Sequence, residues 1–452
     1  MEKKKYIKPV IKKQVAGTMN KFGRYYYKNY RDEIAGAKID KIVEFAGSPV
    51  FVFDEKAIRE KYRELNREFS NRYPKFRFSW SYKTNYLDAI CLVYHQEGSL
   101  AEVVSEFEYQ KARRLGVPGD KIIFNGPFKP EDALETAFKE GAMVNLDNFD
   151  EIFKAETVAK KMGKKVNVGI RLNMNIGVYP QWTRFGFNIE NNSAYDAAKR
   201  IHKSEWLNLN GLHAHIGTFM LEPKAYKNEV KKMIDFMRLI EEKFDDVSIE
   251  YLDFGGGFPS KNKLKGIYMP PEIAVPPLEE FINAISGTLL SELSPDEYPM
   301  VYLETGRALI DEAGYLVTTV DAIKRLPNGT KSYIIDAGVN FLYTSTWYNY
   351  KVEVDRDIQG QYENCVVYGP LCMNIDVVLE NASLPPLSRG TRLILSPMGA
   401  YNVTQWMQFI RYRPAIVMVM EDGSLEMIRR AEKLEDVITP EKVPEKLKEF
   451  KL

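Results

Sequence analysis

The sequence predicts an α/β fold, a parallel (β/α)8 barrel of the TIM type followed by a second, mainly antiparallel β domain. Two observations support this prediction. Between residues 76 and 304 short apolar segments alternate with charged stretches of helical periodicity, and after Arg307 β-rich segments follow one another without long helices. Strands that alternate with helices favour a parallel sheet with helices outside it. The competing open, doubly wound sheet is disfavoured because no Gly-x-Gly-x-x-Gly turn follows the first strand.

Eight barrel strands are predicted from short apolar runs bounded by polar or turn residues. They span residues 76–83, 100–104, 121–125, 143–147, 166–172, 209–216, 249–254 and 300–304. The clearest helix spans 226–244, where apolar residues recur every three or four positions opposite a charged face.

The second domain is predicted from β-rich segments separated by turn signals. These span residues 315–323, 331–335, 351–354, 365–368, 392–395 and 415–420. An earlier strand is expected at 50–53, after which Asp54 can cap a helix. The predicted division is a basic tail and a segment packing on the β domain (1–45), the barrel (46–310), the β domain (311–435) and a helical C-terminal tail (436–452).

Composition excludes several classes of protein. Among 452 residues 45% are apolar and 28% charged, the net charge is +1, and there are three cysteines. These values are those of a globular protein without a general attraction to nucleic acid or membrane surfaces. The cysteines are too few for a disulfide framework or a zinc cluster, and no metal site is predicted. No apolar run reaches membrane-spanning length and no signal peptide is evident, so a cytoplasmic protein is expected.

The first barrel strand ends in Lys83, inside the segment Tyr82-Lys83-Thr84-Asn85. A lysine that closes a buried strand must lose water or lower its pKa, and a desolvated amine is a good nucleophile toward an aldehyde. Taken alone, a lysine whose amine reaches solvent is the simpler interpretation.

The residues at the other strand ends favour a reactive lysine, because the active sites of such barrels lie at the carboxyl ends of the strands. The fifth strand carries Arg171 near its end. The sixth strand carries His213 and His215 and is followed by Thr218, and polar or glycine residues end the seventh and eighth strands. These last residues are Asp253, Gly255, Gly256, Gly257, Glu304, Gly306 and Arg307. The glycines and Arg307 suit a phosphate, Glu304 suits a ring nitrogen, and His215 can stack on a ring. The set predicts a pocket for an aldehyde cofactor with a phosphate and a pyridine ring.

The sequence resembles the fold-type III pyridoxal-phosphate decarboxylases, which include the diaminopimelate, ornithine and arginine enzymes and share the alanine-racemase-like barrel. The resemblance spans about Gly47 to Leu434 and rests on five motifs. They are Tyr82-Lys83-Thr84-Asn85, His213-Ala-His215-Ile-Gly-Thr218, Gly255-Gly-Gly257-Phe-Pro259, Glu304-Thr-Gly306-Arg307 and Gly369-Pro-Leu-Cys372-Met-Asn-Ile-Asp376.

The resemblance implies the cofactor, the reaction and the residue roles. Pyridoxal 5'-phosphate would form a Schiff base with Lys83, and an amino-acid substrate would lose CO2. Cys372, reaching in from a partner subunit of a homodimer, or Lys83 would return the proton. The segment Gly399-Ala400-Tyr401 is similar to the one whose tyrosine helps to hold the cofactor.

The sequence departs from the family at the substrate's far end. Met373 stands where the diaminopimelate and ornithine enzymes carry an acid, and Phe409 stands where a tyrosine is usual. No arginine-proline pair follows the Asp-Ala-Gly segment; Tyr348 lies in that region. These residues predict a substrate whose far end is not a free ammonium, such as an apolar, aromatic, acylated or carrier-tethered amino acid. The alternative is that another acid, Asp376 or Asp355, binds the ammonium.

Two other functions remain open from the sequence. A racemase or epimerase can use the same scaffold, although racemases usually place an arginine at the ring nitrogen where this chain has Glu304. A non-catalytic binder of the cofactor is disfavoured by the cysteine motif and the large β domain, since such binders resemble single barrels.

Overall fold

The structure, a computed structural model, describes residues 30–448. The predicted basic tail therefore lies almost wholly outside the described residues, as do the last four residues. The described part contains the predicted barrel and β domain, so the predicted fold class is confirmed.

The strands and helices of residues 30–448 are numbered here in chain order. The strands are β1 (Glu33–Ile34), β2 (Ala37–Lys38), β3 (Val50–Asp54), β4 (Phe76–Ser81), β5 (Leu100–Val103), β6 (Ile122–Phe124), β7 (Met143–Leu146), β8 (Val166–Asn173), β9 (Phe187–Asn188), β10 (Leu207–Ala214), β11 (Tyr251–Asp253), β12 (Met300–Leu303), β13 (Gly314–Arg325), β14 (Lys331–Ile335), β15 (Lys351–Val354), β16 (Glu363–Tyr368), β17 (Val377–Leu384), β18 (Arg392–Ser396), β19 (Ala415–Val419) and β20 (Leu425–Arg429). The helices are α1 (Ile39–Ala46), α2 (Glu55–Ser70), α3 (Asp88–Gln96), α4 (Glu106–Arg114), α5 (Glu131–Glu140), α6 (Phe149–Met162), α7 (Ser193–His202), α8 (Pro223–Lys243), α9 (Pro271–Ala274), α10 (Leu278–Glu292), α11 (Arg307–Ile310) and α12 (Leu434–Ile438).

The barrel is a closed ring of parallel strands. The order runs from β4 through β5, β6, β7 and β8 to β10, β11 and β12, and β12 pairs again with β4. All eight barrel strands predicted from the sequence are present, with ends that differ by up to two residues. Parallel pairing places the carboxyl ends of these strands on one rim.

Local sequence explains where the helices begin and end. The Asp54 carboxylate accepts a hydrogen bond from Ala57 N at 3.0 Å and caps α2, as predicted. Asn148 caps α6 in the same way, and this helix ends at Gly163 in the left-handed region. Such caps satisfy backbone groups that the helix ends leave unpaired.

The second sheet has the order β17-β16-β14-β13-β3-β19-β20, and β18 pairs with both β13 and β15. Most neighbours are antiparallel, while β14–β16 and β3–β19 are parallel. β3 lies between β13 and β19, which corrects the predicted boundary at residue 46 because that boundary assigns β3 to the barrel. The sequence also did not predict β17 and β20.

The described N-terminal segment packs on the second sheet. Ile34, Ile39 and Ile42 are buried in one apolar cluster with Val317 and Ile394 of that sheet. Arg31 Nε donates a hydrogen bond to Glu353 Oε2 at 2.9 Å.

The C-terminal tail differs from the expected helix. α12 ends at Ile438, and between residues 440 and 448 the structure has only a short 3-10 turn, Glu445–Leu447. Across the described range 30–448, no helix is long and apolar enough to cross a membrane.

A buried ion pair holds the loops that follow β6 and β7. Lys129 Nζ is fully buried and donates to Glu151 Oε2 at 2.9 Å and to Gly126 O at 2.7 Å. Asp147 N donates to the same Glu151 oxygen at 2.9 Å. The pair therefore ties α6 to the rim of the barrel.

We expect Lys129→Met to lower the free energy of unfolding by about 3–5 kcal/mol, because it leaves the Glu151 carboxylate buried without its cation. Urea unfolding measures the change. The matched control is Lys139→Met, which removes an exposed partner of Glu135 and should change stability far less. Equal effects of the two substitutions would contradict the assigned role of the buried pair.

Candidate active site

Lys83 lies at the carboxyl end of the barrel, in a 3-10 turn (Tyr82–Thr84) directly after β4. Its Nζ donates to Glu102 Oε2 at 2.5 Å, and Ser81 Oγ donates to the same oxygen at 2.5 Å. Burial by itself would lower the pKa of Lys83, but the charges of Glu102 and Glu304 outweigh it, and the pKa is raised above its usual range. The free amine is therefore held as a cation beside a buried carboxylate.

Glu304 follows β12 and is almost fully buried inside the same rim. Asn125 Nδ2 donates to Glu304 Oε1, and His213 Nε2 lies 3.5 Å from that oxygen. Burial opposes ionisation, yet His213 and Lys83 outweigh it and lower the pKa of Glu304. A carboxylate at this position can receive a hydrogen bond from a protonated ring nitrogen.

His215 packs against the glycine triplet after β11. Gly256 N donates to His215 Nδ1 at 3.0 Å, and the ring of Trp182 lies 5.9 Å from the His215 ring. Burial and then the charges of Lys83 and Arg171 lower the pKa of His215 to about 3. The imidazole is therefore neutral and presents a flat surface to the cavity.

The glycine triplet Gly255–Gly257 differs from the predicted phosphate-binding segment. Gly255 N donates to Asp253 Oδ1 at 2.9 Å and Gly256 N to His215, so neither N–H is available for a phosphate. Gly257 does line the cavity, and its φ of 87° is one that residues with a Cβ rarely adopt. The triplet therefore holds His215 in position and contributes Gly257 to the cavity wall, but it does not offer three N–H donors to a phosphate.

Arg307 begins α11 at the other end of the cavity. Its guanidinium lies 4.7 Å from the ring centre of Tyr401 and 5.3 Å from that of Tyr348. Arg307 Nη1 and Thr305 Oγ1 are buried without a hydrogen-bond partner in the described structure. No carboxylate within residues 30–448 forms a salt bridge with Arg307, so an anion can bind there.

One cavity connects these groups. It is lined by Ser81, Lys83, Thr84, His215, Thr218, Gly257, Phe258, Glu304, Thr305, Gly306, Arg307, Ala308 and Tyr401. Arg171 lies just outside it, 3.7 Å from Asp147 and with its guanidinium over Phe185. The strand-end residues predicted from the sequence are thus brought together.

The predicted substrate residues lie elsewhere in the described part of the chain. Cys372 is exposed and Met373 half-buried on the loop between β16 and β17, while Phe409 is half-buried; none of them lines the cavity. Asp376 is buried, and its two oxygens accept hydrogen bonds from Val339 N and Leu371 N. Its carboxylate therefore fixes its own loop, and its place in the substrate pocket stays a prediction.

Tyr348, another predicted substrate residue, lies beside the cavity. It is 2% exposed, does not line the cavity and packs beside Arg307 and Phe219. This position supports the anion end of the cavity rather than a substrate pocket.

Sequence reasoning missed Glu102 and Asn125. Glu102 is the only charged residue of β5, and Asn125 follows β6 and connects Glu304 with Asn145 through hydrogen bonds. A single acid inside a four-residue buried strand was a signal that could have been used, because an unpaired buried charge is costly.

The donors around the cavity fit pyridoxal 5'-phosphate. The unpartnered Arg307 and Thr305 atoms suit a phosphate, the Lys83 amine suits an aldehyde, and the Glu304 carboxylate suits a pyridine nitrogen. Comparison with known proteins agrees. The sequence model described as "Pyridoxal-dependent decarboxylase, pyridoxal binding domain" matches residues 55–311, more than half of the chain. The chain belongs to this family.

Two curated diaminopimelate decarboxylases are similar over nearly the whole chain. The enzyme of Methanothermobacter thermautotrophicus is 29% identical over 426 residues, which cover 92% of this chain and 96% of the relative. The enzyme of Methanocaldococcus jannaschii is 29% identical over 439 residues, 94% and 96% of the two chains. A crystal structure of diaminopimelate decarboxylase from M. jannaschii superposes with a TM-score of 0.83 at 28% identity, over 91% of this chain and 96% of that one.

This member of the decarboxylase family is therefore a carboxy-lyase that depends on pyridoxal 5'-phosphate. Its substrate is an amino acid. Family membership favours decarboxylation over the racemase and non-catalytic alternatives that the sequence left open.

We expect Glu102→Gln to lower the pKa of Lys83 by about one to three units, because it removes the nearest opposite charge. The Lys83 amine would then lose its proton at lower pH. The measurement is the pH dependence of amine modification in cofactor-free protein, read on the peptide that contains Lys83. Glu135→Gln, far along the chain in α5, should leave the profile unchanged; an unshifted profile in Glu102→Gln would contradict the pairing.

Proposed function

We propose that this decarboxylase binds its cofactor through Lys83 and acts on an amino acid whose far end is not a free ammonium. The supporting observation is one cavity lined by Lys83, Glu304 and Arg307, where Arg307 Nη1 has no hydrogen-bond partner within the described residues. Related enzymes named diaminopimelate decarboxylase favour the second candidate, decarboxylation of diaminopimelate itself.

In this proposal each part of the cofactor has a partner. Arg307, Gly306, Gly257 and Thr218 hold the phosphate, and Tyr401 packs on Arg307. Glu304 accepts a hydrogen bond from the ring nitrogen, and neutral His215 packs against the ring. Arg171 acts from just outside the cavity, where its charge helps to keep His215 neutral.

When bound, pyridoxal 5'-phosphate supplies an electron sink for the bond that breaks as CO2 leaves. Lys83 would hold the cofactor through its side-chain amine. The Lys83 amine, held beside Glu102, can then move a proton at the α-carbon. Cys372 is exposed in the single chain, which is compatible with its reaching the site of a partner subunit in a homodimer.

The far end of the substrate is inferred from where the acids lie. Glu304 is the only acid that lines the cavity within the described residues, and its carboxylate already accepts from Asn125. Glu102 pairs with Lys83, and the Asp376 carboxylate is used by its own loop. With Met373 in the position of the family's acid, none of these three carboxylates is free to hold a distal ammonium.

We expect the wild-type protein loaded with pyridoxal 5'-phosphate to absorb near the visible edge and Lys83→Ala to lose that band. Borohydride reduction followed by peptide mass analysis should place the cofactor on the Lys83 peptide. The control is Lys75→Ala, which removes a lysine at the opposite end of β4 and should keep the band. Cofactor attached to another lysine would overturn the assignment of Lys83.

We expect Met373→Glu to raise kcat/KM for ornithine, lysine and diaminopimelate by about tenfold or more, because a charge-assisted hydrogen bond contributes about 1.5–3 kcal/mol. Met373→Gln, similar in size but uncharged, is the matched control. The wild-type enzyme should prefer apolar, aromatic or acylated amino acids when CO2 release is measured over a substrate panel. Fast wild-type turnover of diaminopimelate would establish the second candidate instead.

A further inference from the structure

Three acid–base groups meet inside the barrel beneath the cavity. His213 is the last but one residue of β10, Asp253 ends β11 and Glu304 follows β12, and one nitrogen or oxygen atom of each side chain lies within 4.8 Å of those of the others. His213 and Asp253 are paired in register across β10 and β11. All three side chains are buried.

Two carboxylates this close together in a buried site cannot both be ionised, so one of them carries a proton. The surrounding hydrogen-bond donors and charges decide which of the two carboxyl groups carries the proton. Glu304 accepts from Asn125, faces His213 Nε2 and feels the charge of Lys83. Asp253 accepts only Gly255 N through Oδ1, and its Oδ2 has no hydrogen-bond partner in the described structure.

The electrostatics agree with this geometry. Burial and then the neighbouring Glu304 carboxylate raise the pKa of Asp253 well above its usual range. The titratable groups that interact with this pair are His213, His215, Lys83, Glu102, Arg171, Tyr251, Tyr302 and Glu229.

We propose that Asp253 is a neutral carboxylic acid which, with His213, acts as a positioning residue and holds Glu304 as the carboxylate that the ring nitrogen requires. Asp253 donates its Oδ2 proton toward Glu304, and His213 in its Nε2–H form donates from the other side. Neither ring nitrogen of His213 has a hydrogen-bond partner within residues 30–448, and Nε2 lies 3.5 Å from Glu304 Oε1, which fits a side chain that serves this contact. The role toward the ring nitrogen rests on the proposed function of Glu304, whereas the protonation of Asp253 does not.

Infrared spectroscopy of the cofactor-loaded enzyme tests the protonation directly. A protonated carboxyl group has a C=O stretch that is separate from that of a carboxylate and shifts in D2O. We expect Asp253→Asn to lose one such band, whereas Glu229→Gln, which removes another buried acid, should leave that band in place. In wild-type enzyme labelled with 13C in the aspartate carboxyl group, the band should shift and persist from about pH 6 to about pH 9. Absence of a protonated aspartate band in the labelled wild-type enzyme would overturn the proposal without any variant.

The positioning role is tested by the pH dependence of the cofactor's absorption and by its affinity. The amide of an asparagine side chain would mimic the neutral acid, so we expect Asp253→Asn to keep the profile and to change affinity by less than about threefold. Asp253→Leu and His213→Leu should weaken cofactor binding by about tenfold or more, and His213→Gln should restore part of that loss. A Leu variant with wild-type affinity and profile would contradict the positioning role. If Glu304→Gln leaves the profile unchanged, the proposed role of Glu304 fails, while the infrared result still decides the state of Asp253.

Discussion

The pairing of Lys83 with Glu102 is the constraint on which the rest of the barrel interior depends. A cationic amine placed among buried strands is tolerated only when an opposite charge and further hydrogen bonds replace its water. Glu102 supplies that charge, and Asn125 bonds both Glu102 and Glu304. Asn145 in turn donates to Asn125 and accepts from the Tyr251 hydroxyl. The interior is therefore a continuous polar chain, and the reactive lysine is one end of it.

This hydrogen-bonded network explains why most residues of the cofactor site could be predicted from the sequence, whereas the residues that support them could not. Lys83, His215, Glu304 and Arg307 stand at strand ends, where an apolar run changes to polar residues, and parallel pairing brings all such ends to one rim. Glu102 and Asn125 sit within or directly after short buried strands. Their partners lie on other strands, so only the closed barrel shows that they are paired.

The β domain shows the same limit at the level of the fold. Six of its strands could be predicted because each contains a β-rich segment bounded by turn signals. β17 and β20 carry glutamate, asparagine or arginine within the strand, so their local pattern does not separate them from loops. The sequence clearly predicts β3 as a strand. Its partner β19 begins at Ala415, after all the barrel strands in the sequence, and no local signal indicates that pairing. Its place in the second sheet follows from tertiary contacts alone.

The two ends of the active site differ in how they are built. The end that binds the cofactor is formed by rigid barrel strands whose backbone groups are already satisfied, as with Gly255 N and Gly256 N. In the proposed function the substrate's far group reaches the loop between β16 and β17, which Asp376 holds in shape while leaving Cys372 exposed. A substitution at Met373 on this loop would alter neither the barrel nor the charges around Lys83. Under that proposal, substrate choice would therefore depend on the loop and could change without disturbing the residues that surround Lys83.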